Sequence, residues 1–443
     1  MTFQINKNGF KGYDMEQIVI NGGNKLFGNV EISGMKNAAL PILIASILTE
    51  DVCVIENLPC ISDVTLSLEI LRTMGADVKM LGKNTVQIDA RHIEGGTSPY
   101  NLVSKMRGST YLIGAELGRF GTAKVGWPGG CDFGERPIDQ HIKGFTALGA
   151  KVNVENGYIY ADAPEGLFGA QIYFDVVSVG ATINIMLAAV KAEGTTIIDN
   201  AAREPHIVDL ANFFNTCGAQ ISGAGTSVIK IKGVKELHGC TYAIIPDMIE
   251  ASTFMTAVAA TGGSIRITGV IPKHLEIISA KLVEMGVNVE AFDDSIVVKR
   301  DGEINGVNVK TLPYPGFPTD MHPQMSALFC FANGQGSVSE GIWENRFRYV
   351  DELRKMGAQI TVDGKTATVV GGHPMTGAPV RATDLRAGAA MIIAGLAATG
   401  KTEISNIASI ERGYDNVVGK FRALGADISK RNYPDEVELK KAN

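Results

Sequence analysis

The sequence predicts an α/β protein made of six βαβαββ repeats, arranged as two domains of three repeats each. One observation is a short string that recurs six times: MGADV at Met74, LGAKV at Leu148, CGAQI at Cys217, MGVNV at Met285, MGAQI at Met356 and LGADI at Leu424. The strings lie 68 to 74 residues apart, a regularity that chance does not easily produce. Each string also ends a helical pattern with glycine at the C-cap position and then enters a strand pattern. The length of 443 residues is too great for one ordinary core, which supports two domains.

The first repeat shows the order of the elements. GNVEIS is predicted as a strand, NAALPILIASILTE as a helix, DVCVIEN as a strand, SDVTLSLEILRTMGA as a helix, and DVKML with TVQIDA as a hairpin. The third repeat has the same order in QIYFDV, VGATINIMLAAVKAEG, TTIIDN, EPHIVDLANFFNTCGA, QISGAG and VIKIKG. The first helix of each repeat is apolar on nearly all sides, which predicts burial. The second helix is amphipathic and should cover the outside, and the boundary between the two domains should fall near Lys235–Tyr242.

Composition and charge exclude several classes of protein. The net charge of −6 argues against a general nucleic-acid or membrane binder. The longest apolar run, Ala38–Leu48, is far shorter than the roughly 20 residues that span a bilayer. The N-terminus has no apolar signal region, and residues 1–14 are interpreted as a disordered leader or tag before a plausible start at Met15.

The six cysteines include no CxxC pair and none near histidines at zinc spacing, which fits a reducing cytoplasm and implies no metal site. Cys53, Cys217 and Cys330 lie in apolar patterns and are predicted to be inert core thiols. Cys131 differs because it lies in the polar, glycine-rich stretch WPGGCDFGERP, five residues before Arg136. This setting makes Cys131 an exception among the six cysteines.

Residues that break the repeat pattern gather where helices begin. Right-handed crossovers would point these helix N-termini the same way, and helix N-termini attract anions. Two facing domains would then collect cations in one cleft: Lys36, Arg107, Arg136, Arg346, Arg386 and Arg412. Arginine matches phosphate and carboxylate bidentately, so a substrate carrying both groups is indicated. Taken singly, Asp247, Asp320 and Asp384 are better explained as N-caps than as site residues.

Nine motifs, in order along the chain, resemble those of one known family. They are SGMKNAALPIL, PGGCDFGERPIDQH, SVGAT, NAAREPHIVD, PDMIEASTF, FPTDM, WENRF, TDLRA and ERGY. On these motifs, which touch all six repeats, the chain resembles the UDP-N-acetylglucosamine 1-carboxyvinyltransferase family. The resemblance implies two inside-out α/β-barrel domains with an active-site cleft between them. It makes the second domain discontinuous, residues 15–35 plus 244–443, around a first domain of residues 36–243 that carries the cysteine loop.

The resemblance also implies a reaction. Family members transfer the enolpyruvyl group of phosphoenolpyruvate to the 3′-hydroxyl of UDP-N-acetylglucosamine and release phosphate, the first committed step of peptidoglycan synthesis. The route is addition followed by elimination through a tetrahedral intermediate. The two small-molecule substrates are the implied partners, with no cofactor, no metal, no nucleic acid and no membrane.

Individual residues acquire roles from the same resemblance. Cys131, on a mobile lid, would be the general acid and Asp320 the general base. The cations expected at phosphoenolpyruvate are Lys36, Arg136, Arg386 and Arg412. Lys36 and Arg412 would be catalytic because they stabilise the departing phosphate, and Arg386 would lie near the carboxylate. The nucleotide sugar is expected to contact Asn37, Arg107, Arg136, Pro137, Ile138, Asp139, Gln140, Ser178, Val179, Gly180 and Ile342.

Two departures and two alternatives stay open at this point. Val176 and Ser62 stand where some family members carry lysine, which affects the nucleotide side or the domain contact more than the chemistry. One alternative is 3-phosphoshikimate 1-carboxyvinyltransferase, which has the same fold and donor but lacks the PGGC thiol. The other is an inactive paralogue that only binds. Such a protein should have lost one of Lys36, Cys131, Asp320 or Arg412, and all four are present.

Overall fold

The computed structural model describes residues 16–95, 98–127, 129 and 137–432. The strands of this part form six sheets, five with four strands and one with three. The described chain begins with two strands, β1 (Glu16–Asn21) and β2 (Leu26–Glu31). The predicted leader therefore lies outside the described residues.

The first half follows in three repeats. The first contains α1 (Lys36–Ala45), β3 (Val52–Glu56), α2 (Ser62–Thr73), β4 (Asp77–Gly82) and β5 (Thr85–Asp89). The second contains α3 (Tyr100–Val103), α4 (Tyr111–Phe120), β6 (Thr122–Gly126), α5 (Asp139–Ala147), β7 (Lys151–Glu155) and β8 (Tyr158–Asp162). The third contains β9 (Gln171–Tyr173), α6 (Val179–Ala189), β10 (Thr195–Asp199), α7 (Pro205–Thr216), β11 (Gln220–Ser222) and β12 (Val228–Lys232). Then β13 (Thr241–Ala243) leads to the second half.

The second half repeats the order. Its first repeat contains α8 (Met248–Thr261), β14 (Gly263–Thr268), α9 (Glu276–Met285), β15 (Asn288–Ala291) and β16 (Ser295–Arg300). The next contains β17 (Asn308–Lys310), α10 (His322–Phe329), β18 (Gln335–Ser339), α11 (Val350–Lys355), β19 (Gln359–Asp363) and β20 (Thr366–Val370). The last contains β21 (Pro379–Arg381), α12 (Leu385–Ala397), β22 (Lys401–Ser405), α13 (Ala408–Glu411), α14 (Val417–Ala423) and β23 (Asp427–Asn432). Short 3₁₀ turns lie at Ser46–Leu48, Arg107–Thr110, Pro272–Leu275 and Thr319–Met321.

Strand pairing ties the N-terminal strands to the second half. β1 lies between β22 and β23, antiparallel to both, and β2 pairs in parallel with β14. The parallel position beside β3 is taken by β13 from the far end of the first half. The prediction that GNVEIS forms a strand is confirmed, but its assignment to the first repeat is wrong. Alternating hydrophobicity marks a segment as a strand and carries no information about a partner more than 200 residues away.

The helices in the middle of each half are surrounded by their sheets. In the first half α4 packs against α1 and α6, and in the second half α8, α10 and α12 pack against one another. Nearly every residue of α1, α6, α8, α10 and α12 is buried, as their apolar sequences predicted, whereas α4 buries six of its ten residues. This arrangement confirms the inside-out α/β fold class. Among the described helices, none combines the length and the apolar character needed to cross a bilayer.

Backbone geometry explains the recurring glycine. Each of the six repeat glycines has a positive φ, from 95° at Gly425 to 107° at Gly75, in the region that side chains with a Cβ rarely adopt. Each one ends an outer helix and turns the chain into the hairpin strand. The repeat string is therefore the sequence of one helix C-terminus used six times.

Candidate active site

A cavity of about 670 Å³ lies between the two halves. The starts of α1 and α6 reach it from the first half, and the start of α12 and the turn Thr319–Met321 reach it from the second. The predicted site residues that line it are Lys36, Asn37, Arg107, Pro137, Asp139, Gln140, Ser178, Val179, Gly180, Asp320, Ile342, Arg386 and Arg412. Ile138 is instead buried in the core at the start of α5. Cys131 and Arg136 lie outside the described residues.

Three helix starts at this cleft carry ordinary N-caps. Ser178 accepts a hydrogen bond from the backbone N–H of Ala181, and Asp247 and Asp384 each accept two from their first turns. The N-cap interpretation is therefore confirmed for Asp247 and Asp384. Asp320 is different, because its side chain caps no helix. The chemistry of Asp320 has to be explained by its charged neighbours.

Asp320 lies between two arginines from other segments of the second half. Nε and Nη2 of Arg386 lie 3.1 and 2.9 Å from Oδ2 of Asp320, and Nη2 of Arg346 lies 3.1 Å from Oδ1. The arginine side chains are 5% and 3% exposed, whereas that of Asp320 is 28% exposed towards the cleft. Burial alone would raise the pKa of Asp320, but Arg386, Arg346 and Lys36 together hold it well below its usual value. The carboxylate is therefore ionised and reachable from the cavity.

A second charged cluster joins the two halves. Oδ2 of Asp63, on α2, lies 2.6 Å from Nζ of Lys36, and its Oδ1 lies 3.0 Å from Nε of Arg412 in the other half. Burial lowers the pKa of Lys36, and Asp63 opposes that shift. No role was predicted for Asp63 from the sequence. Its only sequence signal is its place at a helix start, because its pairing with Lys36 and Arg412 depends on the contact between the halves.

Two buried histidines also line the cleft. Burial lowers the pKa of His141 to about 4, with Arg107 contributing, and burial lowers that of His206 to about 4. Both rings are therefore neutral near pH 7. A Cβ at Gly180, in the first turn of α6, would lie 3.1 Å from the His141 ring, a tight contact that glycine avoids.

Glu340 supports the opposite wall of the cleft, and no sequence pattern pointed to this residue. Its side chain is buried at the end of β18 and accepts hydrogen bonds from the hydroxyls of Thr311 and Thr319 at 2.7 and 2.8 Å. It also accepts from the backbone N–H groups of Ile342 and Trp343 at 2.7 and 3.1 Å. One carboxyl group therefore fixes both the loop that presents Ile342 to the cleft and the turn that carries Asp320.

Clustered cations suit parts of this cleft to an anion. Its lining carries five cations, Lys36, Arg107, Arg346, Arg386 and Arg412, and six carboxylates, Asp63, Asp139, Glu204, Asp320, Glu344 and Asp384. Asp63 is paired with Lys36 and Arg412, and Asp320 is paired with Arg346 and Arg386. The guanidinium groups of Arg346 and Arg386 lie beside the partly exposed Asp320 and can also bind phosphate or carboxylate groups of a substrate. The arrangement also provides an ionised carboxylate that can take a proton.

Comparison with known proteins gives the class to which this fold and cleft belong, that of the enolpyruvyl transferases. The family profile of EPSP synthase (3-phosphoshikimate 1-carboxyvinyltransferase) matches residues 20–421. The crystal structure of the enolpyruvyl transferase NikO from Streptomyces tendae has a TM-score of 0.85 at 28% identity, covering 95% of this chain and 100% of that one. EPSP synthase from Acinetobacter baumannii shares the fold with a TM-score of 0.73 at 19% identity, covering 94% of this chain and 100% of that one.

Proteins with similar sequences show to which family of enolpyruvyl transferases the chain belongs. UDP-N-acetylglucosamine 1-carboxyvinyltransferase of Clostridium botulinum is 57% identical over 415 residues, which is 94% of this chain and 99% of the relative. UDP-N-acetylglucosamine 1-carboxyvinyltransferase 1 of Staphylococcus aureus is 50% identical over 420 residues, 94% of this chain and 100% of the relative. The chain belongs to the UDP-N-acetylglucosamine 1-carboxyvinyltransferase family, as the motifs predicted.

Proposed function

We propose that this protein transfers the enolpyruvyl group of phosphoenolpyruvate to the 3′-hydroxyl of UDP-N-acetylglucosamine and releases phosphate, the first committed step of peptidoglycan synthesis. The observation that carries this proposal is full-length identity of 57% to a relative named for that reaction. The cation-lined cleft between the halves supports it, because both substrates are anions.

The phosphate of phosphoenolpyruvate is assigned to Lys36 and Arg412. Both cations share Asp63, which keeps them in place at 2.6 and 3.0 Å from its two oxygens. The incoming phosphate is expected to be bound by the same two groups while both stay paired with Asp63. Fixed cations at this position stabilise the negative charge that grows on the phosphate as its bond to carbon breaks.

Asp320 is assigned as the base that takes the proton of the sugar hydroxyl, and Arg386 as the group that holds the substrate carboxylate. These two assignments are coupled, because Arg386 donates two hydrogen bonds to Asp320. When Arg386 turns towards the substrate carboxylate, Asp320 loses the nearest source of its lowered pKa. Binding of phosphoenolpyruvate therefore makes Asp320 a stronger base at the moment a base is needed.

The general acid is assigned to Cys131, with Arg136 beside it, on the motif match alone, since both lie outside the described residues. The thiol would protonate the methylene carbon of phosphoenolpyruvate, and the sugar oxygen would add to the neighbouring carbon. Loss of a methyl proton and of phosphate from the resulting tetrahedral ketal would then give the product. No step in this sequence requires a cofactor or metal.

The nucleotide sugar is assigned to the wall formed by both halves. Asn37 is placed at the acetamido group, Arg107 at the diphosphate, and the residues of α5 and the turn before α6 at the uridine side. Gln140 supports this wall, because its side chain bonds to Asp139 and to both the backbone and the carboxylate of Asp175. We infer a cytoplasmic location, and domains that divide at the two chain crossings into residues 36–243 and residues 15–35 plus 244–443.

The test is phosphate release from purified protein given phosphoenolpyruvate and UDP-N-acetylglucosamine. Release should need both substrates and should yield a nucleotide sugar heavier by one enolpyruvyl group. The same assay with shikimate 3-phosphate examines the second candidate, which is favoured by the description of the matching family profile. Turnover with shikimate 3-phosphate and none with the nucleotide sugar would reject the proposal.

A further inference from the structure

Three cysteines far apart in sequence meet outside the cleft. The Sγ atoms of Cys53, Cys217 and Cys240 all lie within 4.8 Å of one another, and those of Cys217 and Cys240 are 3.3 Å apart. Two of the thiols are buried, and Cys240 is partly exposed. None of the five described cysteines forms a disulfide. Sequence spacing gave no hint of this cluster, because Cys53 lies in the first repeat whereas Cys217 lies in the third repeat and Cys240 just after it.

The backbone holds each thiol in place from a different element. Cys53 lies on β3, Cys217 follows the last turn of α7, and Cys240 comes directly before β13. The carbonyl of Cys217 accepts a hydrogen bond from the N–H of His238 at 3.0 Å, and that of Cys240 accepts one from Val54 at 2.8 Å. The cluster is therefore a fixed junction of three segments, next to the strand that leads into the second half.

Sulfur donors in this arrangement suit a thiophilic cation. Zinc–thiolate bonds of about 2.3 Å at tetrahedral angles separate the sulfur atoms by about 3.8 Å. The three thiols need to move by only about 1 Å or less to reach that spacing. Thiolates are soft ligands that select Zn²⁺ and Cu⁺ over Mg²⁺ and Ca²⁺. The exposed edge at Cys240 gives an ion a route from solvent.

We propose that Cys53, Cys217 and Cys240 form a binding site for one thiophilic d¹⁰ cation, Zn²⁺ or Cu⁺. Each sulfur that binds the ion releases its proton to solvent, so occupancy increases with pH. Cu⁺ is satisfied by three sulfurs, whereas Zn²⁺ keeps a fourth position for water on the side of Cys240. Because a bound ion would tie β3, α7 and the residue before β13 together, its occupancy stabilises the first half.

Cadmium titration tests the site through the ultraviolet thiolate-to-cadmium charge-transfer band. The full-length Cys60→Ser, Cys131→Ser background removes the exposed thiol and the lid thiol from the count. This protein should bind one Cd²⁺ per chain and melt at a higher temperature when it is loaded. Zn²⁺, and Cu⁺ under nitrogen, are then tested for their ability to displace the bound Cd²⁺. Displacement by Zn²⁺ or only by Cu⁺ shows which cation the site prefers, and either result supports the proposal.

Replacement of Cys240 by serine in that background should weaken Cd²⁺ binding by at least about tenfold. Loss of a residue that only positions a metal ligand already lowers metal affinity by about that factor, and loss of a ligand should lower it at least as much. Cys240 is the best position to change because it is partly exposed, and circular dichroism will show whether the variant folds. Cys330→Ser is the matched control, a buried thiol outside the cluster, and should bind Cd²⁺ normally. Absence of the charge-transfer band in the background protein would overturn the proposal. Equal binding by the Cys240→Ser variant, or a Cys217–Cys240 disulfide in place of metal binding, would also overturn it.

Discussion

Replacing Glu340 with glutamine should weaken binding of the nucleotide sugar without abolishing catalysis. The glutamine carbonyl can take the position of Oε1 and keep the hydrogen bonds from Thr311, Ile342 and Trp343. Its amide nitrogen then faces the hydroxyl of Thr319, which has to turn from donor to acceptor. The loop that presents Ile342 and the turn that carries Asp320 lose their common charged anchor.

The size of the stability loss follows from the number of hydrogen bonds that Glu340 accepts. Hydrogen bonds to a charged group contribute about 1.5–3 kcal/mol each, against about 0.5–1.5 kcal/mol for neutral ones. In the variant the three retained hydrogen bonds go to a neutral carbonyl, so each loses part of the difference between a charged and a neutral acceptor. The variant also no longer buries a charge, and we therefore expect a net fall of about 2 kcal/mol in the free energy of unfolding. For a half of this size that is a fall in Tm of about 4–8 °C. Roughly half of the loss should appear at the wall of the cleft, raising the KM for UDP-N-acetylglucosamine about fivefold.

Thermal denaturation and steady-state phosphate release measure both effects. Glu344→Gln is the matched control, because it removes an exposed carboxylate from the same loop, and none of the four hydrogen bonds to Glu340 involves that residue. The control should keep the wild-type Tm. If Glu340→Gln melts like the wild type, or changes the KM for phosphoenolpyruvate alone, the anchoring role assigned to Glu340 is wrong.

Three further variants test other parts of the structure. Asp63→Asn removes the charged partner that Lys36 and Arg412 share. Because the side chain of Arg412 is 24% exposed, we expect a stability loss of about 2 kcal/mol, which is below the value for a fully buried pair. We also expect kcat/KM for phosphoenolpyruvate to be at least about tenfold lower than in the wild type. Unchanged kinetics would contradict the phosphate assignment. Burial raises the pKa of Asp209 to about 6 in the folded protein, so the folded protein holds this proton more tightly than the unfolded chain does. The stability that the protonated carboxyl contributes is fully present below about pH 4 and is lost as the pH rises through about 6. Asp209→Asn should therefore gain up to about 3 kcal/mol relative to wild type between about pH 4 and pH 7, seen as a widening Tm difference; a constant difference would refute the shift. Cys131→Ser should fold normally, lose most turnover and escape alkylation by fosfomycin, and an adduct in its mass spectrum would place the reactive thiol elsewhere.

Much of the site could be predicted because its residues break a strong pattern. Arginine at the start of a helix is disfavoured by the helix dipole, so Arg386 needed a reason other than local stability. Capping alone explains an aspartate such as Asp384 at a helix start, and the structure shows Asp384 as an ordinary N-cap. Glu340 could not be found this way, because a carboxylate at the end of a strand is common and only its four donors distinguish it.

The sequence by itself determined the repeat, the buried central helices and the residues that crowd the helix starts. Those features are local, since they depend on spacing of apolar residues and on glycines that must adopt positive φ. Tertiary structure decided which strands pair, that Asp63 joins Lys36 to Arg412 across the cleft, and that three cysteines meet. These contacts join residues that are up to about 350 positions apart, and they exist only once the two halves and their sheets have packed, which no local pattern encodes.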